Sequence, residues 1–550
     1  MKRSVVRILV FAIGLLILFV IGLAIYVRIV AHVEPPVVTG TFDTVRTSIG
    51  NGVYALGNNR FRKSESGLYE LYVEGDPFER GLANGVLTKE LVQRQEAVFN
   101  EQIRRLVPSR FYLELLRYFV GWFNRDLDEN VPEEFKQEIL GVSQSASHDF
   151  DYIAPPYQRL LNYHAAHDIG HALQNMSLVG CTSFATWGSR SYDSGLLVGR
   201  NFDFYVGDDF ARDKIVAFYK PSQGIPFMMI TWGGMTGVLS GMNSKGLTVT
   251  INAAKSDIPS GSATPVSLVA REILQYASTI DEAYAIAQNR RMFVSESFLI
   301  GSSKGGRAAL IEKTPDATVL YDTPQEWIIS TNHFQSKELG ATELNRKHMQ
   351  SNATTYRYKR VEELLGRSPT NTVGITAGIL RNQLGMNDSN LGLGNEKCIN
   401  QLIAHHAIIF QPGKLKVWVS TAPWQLGKFV CYDLEKVLNS KLSTGNEVYD
   451  SALTIPPDPF LHDPRLTDYI KFSAYRFPFQ PRDGMQPDSL VKWNPDCYLS
   501  YMLAGDFDFD KKDYGGAKKF YEMSLAREIA NAGERDHINK NLQYCKDHTK

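Results

Sequence analysis

One stretch near the start of the chain leaves little choice of structure. Ile8–Val27, ILVFAIGLLILFVIGLAIYV, is a run of 20 residues without a charge. A segment inside a bilayer has no water to bond its backbone, so it must close its own hydrogen bonds as a helix, and about 20 residues at helical rise cross the hydrocarbon core. A cleavable leader carries a shorter apolar core and small residues at its cut site. Here the run ends in Tyr26, Val27 and Arg28, which favours a retained transmembrane anchor over residues 1–33. Lys2, Arg3 and Arg7 precede the run, so the positive charges keep the N-terminus inside and place the chain after the anchor outside the cytoplasm, on the periplasmic or extracellular side.

The rest of the 550-residue chain has ordinary globular composition, with 43% hydrophobic and 21% charged residues. Lys and Arg number 59, and so do Asp and Glu, which excludes nucleic-acid binding through bulk charge. The five cysteines, Cys181, Cys398, Cys431, Cys497 and Cys545, are too scattered for a disulfide framework or a metal knuckle. An odd count in an exported chain flags one free thiol.

After the anchor, HVEPPVVTGTFDTV reads as an extended linker, because paired prolines oppose helix. From about Glu70 to Met176 the texture is helical, with apolar residues three and four apart. At Gly180 it changes. TSFATWG, GLLVGRNFDFY, KIVAFYKP, PFMMITWGG and GLTVTINAA are short β-rich runs broken by turn formers. Two helices, PVSLVAREILQYA and TIDEAYAIAQ, follow before strands return. This order predicts an α+β fold of antiparallel sheets covered by helices. The spacing divides the chain into a linker and helical segment (34–180), a core (181–440), a Pro- and Asp-rich connector (441–492) and a helical tail (493–550). In the tail, Asp-Tyr-Gly-Gly-Ala at 513–517 with Tyr521 and Leu525 resembles one tetratricopeptide-type hairpin; a plain helix pair is the other reading. A single repeat cannot bury its own face, so it packs on the main domain or takes a protein partner.

The chemistry centres on the Gly180–Cys181 junction. A cysteine in a β-rich run is either a small buried hydrophobe or a nucleophile. If the Gly180–Cys181 bond is cut, the Cys181 thiol gains its own α-amine as a base, with a reference pKa near 8. Gly180 has no side chain to block attack. In GRNFDF, Arg200 and Asp203 stand three apart: Arg200 would favour thiolate and bind an acyl oxygen, and Asp203 would hold the α-ammonium, unless the two form only a salt bridge. Asn252 and Asn332 end the strands of GLTVTINAA and WIISTNHF, as turn formers or as donors to an oxyanion hole. Two decoys also appear. GSSKG at 301–305 would make Ser303 a serine nucleophile, but that elbow must lead from strand into helix and RAALIEK reads as a return strand. His164, His167 and His171 share a helical face that could gather a metal, although a packed histidine stripe or a cleft wall explains them without one.

Taken in order, Cys-Thr-Ser, Gly-Arg-Asn-x-Asp, Met-Asn-x-Lys-Gly-Leu followed by Asn, and Thr-Asn-His resemble the N-terminal-nucleophile (Ntn) hydrolases. The resemblance covers roughly residues 68–435 and is to the branch containing acyl-coenzyme A:6-aminopenicillanate acyltransferase, peptidase family C45. It implies a four-layer αββα sandwich, no cofactor and no metal. It implies Cys181 as the self-cleavage point and nucleophile, Arg200 and Asp203 as the pair holding amine and thiol, Asn252 and Asn332 at the acyl carbonyl, and His333 of Thr-Asn-His beside the substrate. A further substrate-binding arginine falls on Arg357, with Arg360 as the alternative. The implied activity is hydrolysis or transfer of the acyl group of a small or lipid-like N-acyl amide through a Cys181 acyl-enzyme. An acyl-coenzyme A-dependent N-acyltransferase is the second reading, disfavoured because that donor belongs to the cytosolic side. A non-catalytic membrane-anchored binding scaffold is the third.

Overall fold

The computed structural model describes residues 2–173, 180–257, 259, 261–442, 447–477 and 484–549, without the side chains of residues 2–4, 167 and 170–173. Two sheets dominate. The first has eleven strands, in the order Thr47–Ser48, Val53–Leu56, Asn59–Lys63, Tyr69–Gly75, Ile215–Pro221, Phe227–Thr231, Ser240–Asn243, Leu247–Ala253, Glu296–Ser302, Arg307–Lys313 and Thr318–Tyr321. The second has seven: Trp327–Ser330, Thr182–Thr186, Leu197–Phe202, His406–Gln411, Lys416–Ser420, Phe429–Asp433 and Tyr449–Ile455. Neighbours run antiparallel, apart from Tyr69–Gly75, which lies parallel to Ile215–Pro221.

Strand alternation sorts the side chains into layers. Val216 and Phe218, Met228 and Ile230, and Leu310 of the first sheet meet Val198, Ile408, Val419 and Val430 of the second in one core. The alternate residues, Ala217, Tyr219 and Met229, face helices Pro77–Leu87, Glu133–Ser143 and Val266–Tyr276 in another. On the outer face of the second sheet, Ala407, Ile409 and Trp418 pack on helices Thr354–Gly366 and Val373–Leu380.

The chain before Gly180 is less helical than its sequence suggests. Tyr69–Gly75 is a strand, and the helix begins only at Pro77, with Asp76 as its cap and proline at its first position. The strand is covered on both faces: Leu71 and Val73 face the helices, and Tyr72 faces the second sheet. Residues 53–63, within the expected linker and helical segment, form two further strands of the same sheet. The stretch after residue 440 supplies the edge strand Tyr449–Ile455 and helices Pro464–Ser473 and Pro487–Trp493. These helices share a core with Tyr498–Asp510, Tyr514–Leu525 and Ala532–His548, built on Tyr469, Leu490, Tyr498, Tyr521 and Ile538.

Among the described residues, Val5–Val30 is the one helix long and apolar enough to cross a membrane, and its composition suits a membrane anchor or a signal sequence. Next to it, helix Arg110–Phe123 exposes Phe111, Tyr112 and Leu115.

Candidate active site

Strand register gathers the site at one end of the second sheet. Thr182–Thr186 lies between Trp327–Ser330 and Leu197–Phe202, with Ser183 opposite both Ser330 and Arg200. Continuing the pairing backwards brings Gly180 level with Asp203, where the Gly180 N–H donates to the Asp203 carbonyl at 3.0 Å. Cys181 is buried, and its Sγ lies 3.8 Å from both the Asp203 carbonyl oxygen and Arg200 Nη2. Because it points between the sheets, Arg200 is fully buried and lies over the Phe202 ring. Its guanidinium donates to the carbonyls of Leu239 and Ile251 and to Ser240 Oγ. Ser240 Oγ in turn meets His406 Nε2 at 2.8 Å.

Burial pushes the Cys181 thiol up to about 11, a rise that Arg200 only partly opposes, so the thiol of the uncut chain is protonated. The Asp203 carboxyl is raised to about 7 by burial against the pull of Arg357, Arg200 and Arg476. Neither of its oxygens takes a hydrogen bond among the described residues. A buried carboxylate without a partner is costly, and an ammonium formed on Cys181 N would supply one. Glu296 is a second buried carboxyl without hydrogen-bond partners, raised well above its ordinary range by burial and by Asp168.

Arg357, on helix Thr354–Gly366, reaches the junction itself. Its Nη1 donates to Gly180 O at 2.9 Å, Cys181 O at 2.5 Å and Thr182 Oγ1 at 3.0 Å; its Nη2 donates to Asn332 Oδ1 at 2.7 Å. Arg360, one turn on, is committed to Asn382, Asp388 and Glu363. Of the two arginines, Arg357 is the one at the junction. Asn252 accepts from Ser183 Oγ at 2.7 Å and gives its amide hydrogens to the Ser330 and Thr331 carbonyls. Asn332 donates to Ala253 O at 2.9 Å. Both asparagines therefore stitch the strand ends around the junction, and neither amide donates to the Gly180 carbonyl in the uncut chain. His333 sits one shell out, between Thr331 and Thr354, lowered to about 4 by burial, His348 and Arg357.

Sequence reasoning missed Gln401. Its Nε2 donates to Gly180 O at 2.9 Å, giving that carbonyl a second donor beside Arg357. No motif marks NQLIAHH, but the pairing of His406 with Phe202 runs the residues just before 406 past Asp203. The decoys resolve differently. Ser303 lies in the turn between two paired strands and bonds the Lys245 carbonyl. His164 donates from Nδ1 to Leu160 O and accepts at Nε2 from the Thr236 N–H, so both nitrogens are occupied; the side chains of His167 and His171 lie outside the described residues. A cleft of about 60 Å³ lies between helices Lys89–Leu106 and Pro156–Leu173, walled by Val92, Phe99, Leu160, Phe204 and Trp232. Phe204, one of its walls, follows Asp203 in the chain.

These positions can be set against known proteins. Residues 190–421 match the acyl-coenzyme A:6-aminopenicillanic acid acyl-transferase family. The matched stretch holds Arg200, Asp203, Asn252, Asn332, Arg357 and Gln401 and begins after Cys181. The resemblance read from the motifs is borne out. Protein dcd1B of Dictyostelium discoideum is 24% identical over 271 residues, 46% of this chain and 51% of that protein. An uncharacterized protein of Archaeoglobus fulgidus is 25% identical over 267 residues, 46% of this chain and 44% of its own. The chain thus spans about half the length of the curated relatives it matches. Among solved structures, the Caenorhabditis elegans ortholog of N-acylethanolamine-hydrolyzing acid amidase is similar at TM-score 0.31 and 17% identity, covering 42% of this chain and 93% of that one. A conjugated bile acid hydrolase mutant from Clostridium perfringens follows at TM-score 0.29 and 13% identity, covering 44% and 89%.

Proposed function

We propose that the protein is a self-processing cysteine amidohydrolase of the Ntn type, held by its N-terminal helix on the outer face of a membrane. The helix–sheet–sheet–helix order of its cores is read accordingly as a four-layer αββα sandwich. The observation that carries the proposal is the set of groups at one peptide bond: the Cys181 thiol beside Arg200, and an unpartnered buried carboxyl, Asp203, where a new α-ammonium would form.

In the first round Sγ of Cys181 attacks the Gly180 carbonyl carbon. The S–C bond forms as the C–N bond breaks, and the thiol proton ends on the departing α-nitrogen. One water then hydrolyses the thioester, leaving a Gly180 carboxyl and a free Cys181 thiol with its α-amine. The α-amine serves as the base that the buried thiol lacks before the cut. In the second round the thiolate attacks a substrate amide, the amine leaves, and water releases the acid. Arg200 favours the thiolate, Arg357 steadies the acyl carbonyl, and the apolar cleft accepts part of the acyl group of a lipid-like N-acyl amine.

Intact-mass analysis of the wild type beside Cys181→Ala tests the reading. Two wild-type fragments meeting between Gly180 and Cys181, with the alanine variant whole, are expected. A folded wild type that stays whole would overturn the enzyme reading and leave an anchored binding scaffold.

A further inference from the structure

Among the places where the C-terminal segment touches the core are three consecutive residues, Gln401, Leu402 and Ile403. The Gln401 carbonyl accepts from Arg476 Nη1 at 2.9 Å, and the same nitrogen contacts Tyr469 Oη at 3.0 Å. Leu402 is buried in the C-terminal helical core and holds a left-handed backbone, φ 54°, which strains a side-chain-bearing residue and persists only where packing enforces it. Ile403 clusters with Tyr205 and Phe477, whose rings stack at 3.9 Å. These contacts aim the Gln401 amide at one target, the Gly180 carbonyl oxygen. A Cβ built on Gly180 would lie 2.3 Å from Gln401 Nε2, so the glycine is what lets the amide approach.

We infer that Gln401 is a catalytic residue of self-processing, the second donor with Arg357 to the oxygen that gains charge as Cys181 attacks, and that the C-terminal helices position it through Arg476 and Leu402. The inference rests on the self-processing reading. It gives the C-terminal helices a role inside the enzyme, with no outside partner needed.

The test follows the self-cleavage rate of the full chain by intact mass, with melting temperature measured in parallel. Gln401→Met keeps the length and removes the donor; a loss of about 10²-fold in rate at matched melting temperature is expected, the usual effect of deleting one oxyanion donor. Arg476→Met is expected to slow cleavage by a smaller factor, and Arg476→Lys, which can still donate to the Gln401 carbonyl, to recover part of it. If the wild type cuts and Gln401→Met cuts equally fast, the Gln401 assignment fails while self-processing stands. If the wild type itself never cuts, both fail. Should Gln401→Met not fold, Gly180→Ala in the Cys181→Ala background decides. It is expected to lower the melting temperature, and adding Gln401→Ala to restore it; a Gly180→Ala chain as stable as its parent overturns the close approach.

Discussion

Arg357 is shared among four residues of the junction, since one guanidinium serves Gly180, Cys181, Thr182 and Asn332. A planar fork can hold such divergent acceptors and a single ammonium cannot. Arg357→Lys is therefore expected to slow self-cleavage by about 10²-fold or more, the scale of losing an oxyanion donor, read from a time course of the uncut band. Asp203 yields a prediction in pH. Its folded pKa, about 7, lies above the ordinary value of 3.8, so the stability tied to its protonated form is complete below about pH 4 and is lost as pH rises through 7. The uncut Cys181→Ala chain is expected to melt at lower temperature at pH 8 than at pH 5, with a smaller difference once Asp203→Asn is added. The cut wild type is expected to show the smaller difference too, because the Cys181 ammonium then partners the carboxylate. An Asp203→Asn variant with an unchanged pH slope would show that the carboxyl is not the group responsible.

At the scale of elements, helices Pro77–Leu87 and Glu133–Ser143 approach closely because glycines face each other: a Cβ on Gly141 would lie 2.4 Å from the Leu82 nitrogen. Glu138, fully buried, then ties three helices together through Arg80 at 2.6 Å and Arg271 at 3.0 Å. Burial alone would raise the Glu138 carboxyl, but Arg271 and Arg80 outweigh it and hold it below its usual range. Glu138→Gln leaves the buried Arg271 guanidinium without its anion and Arg80 with only the more distant Glu134, and is expected to cost about 3–5 kcal/mol by denaturant unfolding. Elements like these show what a single sequence reveals. Cys181, Arg200 and Asp203 were legible because they fall on or directly beside two strands adjacent in the chain, where local pattern and motif coincide. Strand Tyr69–Gly75 was obscured because burial on both faces removes the polar–apolar alternation that marks a half-exposed strand. Gln401 was not legible at all: it reaches Gly180 across 221 positions, and only the pairing of distant strands brings it there. His333 and the two asparagines lie near the junction, yet their hydrogen-bond partners are ones that no spacing encodes.

For the whole molecule, the Gly180–Cys181 bond lies between two stretches of chain that build one sheet. Tyr69–Gly75 from before the junction pairs along its full length with Ile215–Pro221 from after it, and both are covered by shared cores. Cleavage is expected to leave residues 1–180 and 181–550 in one particle, co-eluting on native size exclusion and separating only in denaturant. Dissociation of the cut chains in native buffer would contradict that expectation.

The parallel pairing then acquires a mechanical meaning. The apolar helix would belong to one product of the proposed cut and Cys181 to the other. After processing no covalent link would join the Cys181 sulfur to the membrane, and every tug on the tethered enzyme would pass through non-covalent contacts, the parallel strand pair chief among them.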